Sequence, residues 1–420
     1  MRLTILHTND IHGRQERIAQ IATLVRQERE RAGHAVLYLD AGDVEDTTNR
    51  LSNATKGTAM HRLLSIAGCD AHTVGNACWL RYGPGVLAEH ARVSSYPQLL
   101  ANFAGVDGPV PSVLIDGVGI LGLIDPFDRF ADDLDWGFER LDVLETARAV
   151  AADLRRRGAT LVVLLSHLGY EHEFPPWDDR RIAPHLQDDV DLIVGGHSHH
   201  LLPHGEWIGR VLVAQAGCHG DHVGRIEVDG GTITATVEPV RADVPCDAAV
   251  TAEAARVEEE IAALLAEPVG RIDAPLDAAA IAELLRERAD ADVGVFSEGQ
   301  VAAVVPAGVV TRGALWDALD SGANPAVTRM RGGHLRDLLS RGNDPSFQAD
   351  TPGALRGRRR GRLELAGPQP DPAREYLVAS TDWELEPYGG YAREEWGLRV
   401  TYEFPTIVRE AIEEQLRGRR

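Results

Sequence analysis

Five short segments carry residues whose types and spacing suit metal chemistry: Asp10-Ile11-His12, Gly42-Asp43, Gly75-Asn76, Ser166-His167 and Gly196-His197-Ser198-His199. Alternate residues of an extended segment share a face, so Asp10 and His12 can reach a common ion. Glycine before Asp43 and before Asn76 allows a tight turn and close approach of backbone to ion. Carboxylate, amide and imidazole donors without thiolate suit divalent Mn, Zn, Co, Fe or Mg. The candidates Asp10, His12, Asp43, Asn76, His167, His197 and His199 are too many for one such ion in this geometry, but they fill two ions bridged by a carboxylate. Two metals roughly 3.5 to 4 Å apart polarise substrate oxygens and lower the pKa of a bridging water, which is the chemistry of phosphoester hydrolysis. A lone histidine after a strand is more often core or surface than ligand; the ordered set is what points to a metal centre.

The elements that must position these residues alternate strand-like and helix-like runs, the pattern of layered α/β architecture. Strands are predicted over 3–7, 35–39, 71–74, 112–124, 160–165, 191–194 and 210–214, and amphipathic helices over 16–32 and 144–157. The candidates sit just after strand ends, where open α/β sheets present their ligand sites. From about 241 the character changes: 251–265 reads as one Ala/Glu-rich helix, stopped by Glu267-Pro268-Val269-Gly270. The remainder mixes strands (293–296, 376–379) with helices (312–319, 333–339) and is long enough for its own core. The 420 residues therefore divide into a first domain over 1–240, a bridging helix over 241–266 and a smaller α/β domain over 267–420.

Composition narrows the function classes. Sixty-four acidic against 43 basic residues give a net charge of −21, which disfavours general nucleic-acid binding. The one basic run, 356–362, with five arginines, reads as a solvated loop. Cys69, Cys78, Cys218 and Cys246 form no Cys-x-x-Cys pair, which argues against a zinc ribbon or a disulfide framework. No run approaches the ~20 apolar residues of a membrane span, and no leader precedes the first strand, so a cytoplasmic protein without membrane attachment is expected. The partner expected is a small-molecule phosphoester.

The segments Ile5-Leu6-His7-Thr8-Asn9-Asp10-Ile11-His12-Gly13, Gly42-Asp43, Gly75-Asn76, Ser166-His167-Leu168-Gly169 and Gly195-Gly196-His197-Ser198-His199 resemble the calcineurin-like metallophosphoesterase domain of the 5′-nucleotidase family. Ala291-Asp292-Val293-Gly294-Val295, Thr311-Arg312-Gly313-Ala314-Leu315 and Asp382-Trp383 with Gly389-Gly390 extend the resemblance to that family's C-terminal substrate domain. The resemblance implies a four-layered αββα sandwich followed by a smaller α/β domain. It implies one metal on Asp10, His12 and His199, another on Asn76, His167 and His197, and Asp43 bridging. The implied reaction is attack of a metal-bound hydroxide on the phosphorus of a nucleotide or related phosphoester, with Asn76 neutralising the oxygens.

This sequence departs from the family where the leaving group is protonated. The block that normally reads Gly-Asn-His-Glu, with an Asp two residues on, is here Gly75-Asn76-Ala77-Cys78-Trp79-Leu80: Ala77 and Leu80 stand where the catalytic His/Asp dyad would be. Losing a general acid costs roughly 10²- to 10⁴-fold, most for alkoxide leaving groups. Cys78 reads as an inert thiol, and His61, His72 and His200 are candidates to fill the vacancy. The substrate domain departs too, with Ser297-Glu298-Gly299-Gln300 in place of the ribose- and phosphate-binding motif, Leu319-Asp320-Ser321 in place of one stacking aromatic and Gly389-Gly390-Tyr391 in place of the nucleoside-contacting Gly-Gly-Asp. Trp383 alone keeps an aromatic at the other stacking position. The reading is an attenuated dimetal phosphoesterase; the alternatives are a metal-binding pseudophosphatase without turnover and a dimetal hydrolase of a different ester.

Overall fold

The computed structural model describes residues 2–77, 79–126, 137–171, 176–349, 359–403 and 406–418. The chain separates into two compact units, Met1–Glu258 and Glu259–Arg420, and the helix Ala248–Leu265 runs across the division. Among the described residues no helix is long and apolar enough to cross a membrane.

In the first unit the strands are, in chain order, β1 (Arg2–Thr8), β2 (Ala35–Asp40), β3 (Ala71–Thr73), β4 (Gln98–Leu99), β5 (Phe103–Ala104), β6 (Ser112–Ile115), β7 (Val118–Ile124), β8 (Glu139–Arg140), β9 (Leu161–His167), β10 (Leu192–Gly195), β11 (Glu206–Ile208), β12 (Val211–Ala214), β13 (His222–Asp229) and β14 (Thr232–Pro239). Two six-stranded sheets form, in the orders β14-β13-β1-β2-β3-β4 and β11-β12-β10-β9-β7-β6. The central strands β1 to β4, and likewise β7, β9, β10 and β12, run parallel. Side chains of a strand alternate between faces, and β9 shows the consequence. Leu161, Val163 and Leu165 pack between the sheets with Leu3, Ile5, Leu37 and Leu39, while Val162 and Leu164 pack outward with Ala147, Ala151 and Leu154 of the helix Val143–Arg156. The helix Gln15–Arg31 buries Ile18, Ile21, Ala22 and Val25. The four-layered sandwich is therefore present.

The run 112–124, expected as one strand, is a hairpin. Asp116 and Gly117 both have left-handed backbone (φ 47° and 83°), and Asp-Gly suits the two-residue turn whose twist matches that of its strands.

The second unit contains β15 (Pro268–Ile272), β16 (Val293–Ser297), β17 (Gly308–Thr311), β18 (Pro325–Arg331), β19 (Leu363–Ala366), β20 (Glu375–Thr381) and β21 (Thr401–Tyr402). Its main sheet has the order β19-β16-β20-β18-β21, with β15 and β17 paired separately. One side of the fold holds Phe296, Ala379, Ile281 and Leu285; another core gathers Val293, Val295, Leu335, Tyr376, Trp383 and Tyr391. Trp383 has no exposed surface, and its indole N–H donates to the Arg359 carbonyl at 3.2 Å. The stacking role expected for it is corrected here: neither ring face is open to a ligand. Of the arginine run, Arg356 and Arg358 lie outside the described residues. Arg359 pairs with Asp320, Arg362 pairs with Glu298, and Arg360 covers the Phe347 ring.

Candidate metal centre

The loops after β1 and β2 are laced together by backbone hydrogen bonds from Asp10 N to Gly42 O (2.8 Å), His12 N to Asp43 O (3.0 Å) and Gly13 N to Val44 O (2.8 Å). Five of the seven expected ligands, Asp10, His12, Asp43, His197 and His199, adopt left-handed backbone with φ between 49° and 70°. Such conformations cost about 1 to 3 kcal/mol each and persist where the surroundings impose them, most often at functional sites. Gly75 is required by packing, since a Cβ there would lie 2.1 Å from Asp43 Oδ1.

These turns bring the side chains together. Asp10 Oδ1 faces His199 Nε2 at 3.4 Å, His12 Nε2 at 3.7 Å and His167 Nε2 at 4.0 Å, while His12 Nε2 and His199 Nε2 stand 3.1 Å apart. His167 Nε2 is 3.4 Å from Asp43 Oδ2. Asn76 Oδ1 meets His197 Nδ1 at 2.9 Å, and the His167 and His197 rings lie 5.1 Å apart. Of the three groups among the described residues that could each hold an ion, two lie here, Asp10 with His12 and His199, and Asp10 with Asp43 and His167. The first is the expected triad. In the second, Asp10 appears beside the expected bridge Asp43, and Asn76 and His197 are not part of the group.

Outer hydrogen bonds aim the imidazoles. His167 Nδ1 donates to Ala41 O (2.7 Å) and His12 Nδ1 meets Glu45 O (3.2 Å), so both Nε2 atoms turn inward, the arrangement that orients metal-binding histidines. The Ala77 N–H donates to Asp43 Oδ1 at 2.7 Å, so the position that lost the family's histidine still steers a carboxylate. Asp10 Oδ1 and His167 Nε2 are buried and have no hydrogen-bond partner. A buried acceptor left in that state costs about 1 to 3 kcal/mol unless something completes it, and a divalent cation fits this donor set.

The field is that of a cation site. Burial works against charge on His167, yet Asp43 and Asp10 hold its pKa up at about 9. His199 is likewise raised against burial to about 10 by Asp10 and Cys218. Burial opposes ionisation of Asp10, but His199, His167 and His12 together lower its pKa.

His219 was missed by the sequence reading. It sits in Gly217-Cys218-His219-Gly220 just beyond β12, with left-handed backbone (φ 59°), its N–H on Asp10 O (2.7 Å) and its ring 5.7 Å from His12. Cys218, read only as a scattered cysteine, is raised by burial but lowered further by His199 and His219, to about 7. A histidine flanked by glycines after a strand was the available signal. None of the histidines considered for the missing acid is free to swing. His61 bonds Glu45, His72 bonds Asp40, and His200 Nδ1 meets Ser198 Oγ at 2.9 Å. Cys78 lies outside the described residues.

Comparison with known proteins identifies both parts of the chain. The calcineurin-like phosphoesterase family model matches residues 3–201, and the 5′-nucleotidase C-terminal domain model matches residues 251–404. The uncharacterized metallophosphoesterase YunD of Bacillus subtilis is 26% identical over 367 residues, covering 80% of this chain and 77% of that protein. Mouse 5′-nucleotidase is 27% identical over 304 residues, covering 60% of this chain and 51% of that protein, so the chain matches about half of the mouse protein's length. The crystal structure of a 5′-nucleotidase precursor from Thermus thermophilus superposes with a TM-score of 0.61 at 20% identity, covering 100% of this chain and 96% of that one.

Proposed function

Because the chain belongs to the 5′-nucleotidase family of two-domain metallophosphoesterases, we propose that it is a dimetal phosphoester hydrolase whose substrates carry good leaving groups. The observation that carries this reading is the pair of buried, unpartnered atoms Asp10 Oδ1 and His167 Nε2 facing one another at 4.0 Å amid five further donors. Asp10, His12 and His199 would hold one cation and Asn76, His167 and His197 the other, with Asp43 as a shared ligand. When bound, two such cations polarise the phosphoryl oxygens and lower the pKa of a water between them. The chain's own residues do the rest. Ala41 and Glu45 carbonyls fix the His167 and His12 rings, the Ala77 N–H fixes Asp43, and the Asn76 amide supplies a neutral dipole to the oxygens. No residue at positions 77 or 80 can protonate a departing oxygen. An alkoxide such as a ribose 5′-oxygen therefore leaves slowly, while an aryl oxide needs no proton.

Residues 1–240 form the phosphoesterase domain in this reading, 241–266 the bridge and 267–420 the substrate domain. A cytoplasmic setting suits the thiols of Cys69, Cys218 and Cys246, all unpaired. The test is Mn²⁺-dependent hydrolysis of an activated aryl phosphomonoester and an aryl phosphodiester beside AMP, with Asp43→Asn as control. Aryl-ester turnover at least ~10²-fold above AMP, lost in the control, is the expected result. Two bound metals with no turnover of any ester would instead make the protein a pseudophosphatase or a hydrolase of a different ester.

A further inference from the structure

On a different set of elements from the metal centre, three more potential ligands cluster, with a fourth beside them. Glu45 lies in the loop after β2, His61 on the helix Thr58–Ile66, His72 on β3 and His90 on the helix Val86–Val93. All four are buried. Ligand atoms of Glu45, His61 and His72 lie within 4.8 Å of one another. Glu45 Oε1 is 2.6 Å from His61 Nε2 and 3.4 Å from His90 Nδ1, and the His61 ring is centred 4.3 Å from His90 and 5.1 Å from His72.

Each imidazole is held from outside by one nitrogen. His72 Nδ1 meets Asp40 Oδ1 at 2.8 Å, His90 Nε2 meets the Lys56 carbonyl at 2.6 Å, and His61 Nδ1 meets the Tyr96 hydroxyl at 2.8 Å and the Gln98 amide at 3.2 Å. A carbonyl or carboxylate can only accept, so those His72 and His90 nitrogens carry the protons and their other nitrogens carry lone pairs. This carboxylate-or-carbonyl backing is the outer shell that metal-binding histidines use. Lys56 presents its carbonyl from a left-handed conformation (φ 49°) that a lysine adopts only when the surroundings impose it.

His90 Nδ1 supplies the second observation. It is buried, has no hydrogen-bond partner and lies 3.4 Å from Glu45 Oε1, the oxygen that His61 Nε2 meets at 2.6 Å. Two acceptors facing each other in a dry interior repel unless a cation lies between them. Burial also lowers the His90 pKa to about 4 and that of His61 well below its usual value, which favours the neutral form of these two rings.

We propose that Glu45, His61, His72 and His90 form a third divalent-metal site, closed and structural, with the three-imidazole, one-carboxylate chemistry of Zn²⁺. The ion staples two helices, a strand and the β2 loop. It also fixes the residue whose backbone carbonyl receives His12 Nδ1, and so braces the neighbouring centre. This inference stands apart from the hydrolase reading, because it concerns metal content rather than turnover.

The experiment is Co²⁺ substitution of the full chain, read by metal content and by the intense visible bands of four-coordinate cobalt. About three equivalents are expected, one resisting mild chelation. Asp43→Asn is expected to keep the tetrahedral band. His90→Gln is expected to lose about one equivalent and most of the band. A wild-type protein that binds no more than two equivalents, or whose tetrahedral band survives in folded His90→Gln, overturns the proposal. If His90→Gln does not fold, the wild-type stoichiometry together with the Asp43→Asn spectrum decides.

Discussion

Asp10 in the first unit and Glu384 in the second are both carboxylates without exposed surface, yet their oxygens are treated differently. Asp10 Oδ2 accepts from Asn9 Nδ2 and the His197 N–H, but Oδ1 is left to three imidazoles that approach without bonding. Glu384 Oε1 accepts from Gln300 Nε2 (2.6 Å) and Ser297 N (3.3 Å), and Oε2 from the Ser380 (3.2 Å) and Thr381 hydroxyls. The backbone differs in parallel: Asp10 and four of the six other expected ligands are left-handed, whereas Glu384 lies in the helix Asp382–Leu385. A carboxylate with one oxygen left incomplete on a left-handed turn is open to a cation. A structural one is completed by its own chain. The residues that replace the family's nucleotide-binding motifs belong to the second kind. Ser297, Gln300, Ser321 and Tyr391 bond one another and Glu384 inside the second unit, so these side chains are engaged internally.

The sharpest way to break this comparison is to truncate Trp383. A core residue of this size changed to alanine costs roughly 3 to 5 kcal/mol. Denaturant unfolding of Trp383→Ala should show the second unit's transition displaced by that amount, with aryl-ester turnover by folded protein little changed. A variant of unaltered stability but raised KM would restore the stacking role and remove the core assignment.

Glu384 gives the next largest effect, and its sign is opposite to that of a paired surface carboxylate. Burial is the main cause of its raised pKa, helped by Asp382 and opposed by hydrogen bonds from Thr381, Gln300 and Ser380, for a net value of about 7 against 4.5 unfolded. The folded state therefore binds this proton more tightly. Its stabilising contribution is complete below pH 4.5 and is lost as pH rises through 7, a difference of about 3 kcal/mol. Glu384→Gln should flatten the stability profile of the second unit across that window and leave the variant more stable than wild type at pH 8. A wild-type profile already flat there would mean that the carboxyl is solvated in solution and that the contrast with Asp10 fails.

What the sequence disclosed follows the same division. The clustering of these side chains was legible because they sit beside glycines at strand ends, which leaves local marks: Gly42-Asp43, Gly75-Asn76 and Gly196-His197 are visible without a fold. The two sheets were legible from apolar runs such as Leu161–His167. The hairpin within 112–124 was not, because apolar residues on both sides of Asp116-Gly117 hid the turn. Trp383 was misjudged because a single aromatic gives no direction; only the packing of Val293, Leu335 and Tyr391 around it decides burial. Glu45, His61, His72 and His90 come from four separate elements, so no spacing could join them.

The smallest effect tests whether strain at the centre does work. Gly42 has φ 97°, and a Cβ there would lie 2.5 Å from His167 Nδ1 and 3.1 Å from the Gly75 Cα. Gly42→Ala must therefore push His167 off the Ala41 carbonyl that aims it. Loss of such an orienting bond lowers metal affinity roughly 10- to 100-fold, or about 1.4 to 2.7 kcal/mol. Gly333 is the matching control in the second unit: it lies in the helix Gly332–Gly342, and a Cβ would meet nothing within 4 Å. Gly333→Ala should stabilise that unit by about 0.5 to 1 kcal/mol through the unfolded chain alone and leave Mn²⁺ affinity untouched. Mn²⁺ titration and denaturant unfolding of both variants separate the cases. If Gly42→Ala binds Mn²⁺ as wild type does, the left-handed turns are incidental to the ligand set. In that event the unpartnered Asp10 oxygen, rather than the strain around it, is what distinguishes the two carboxylates.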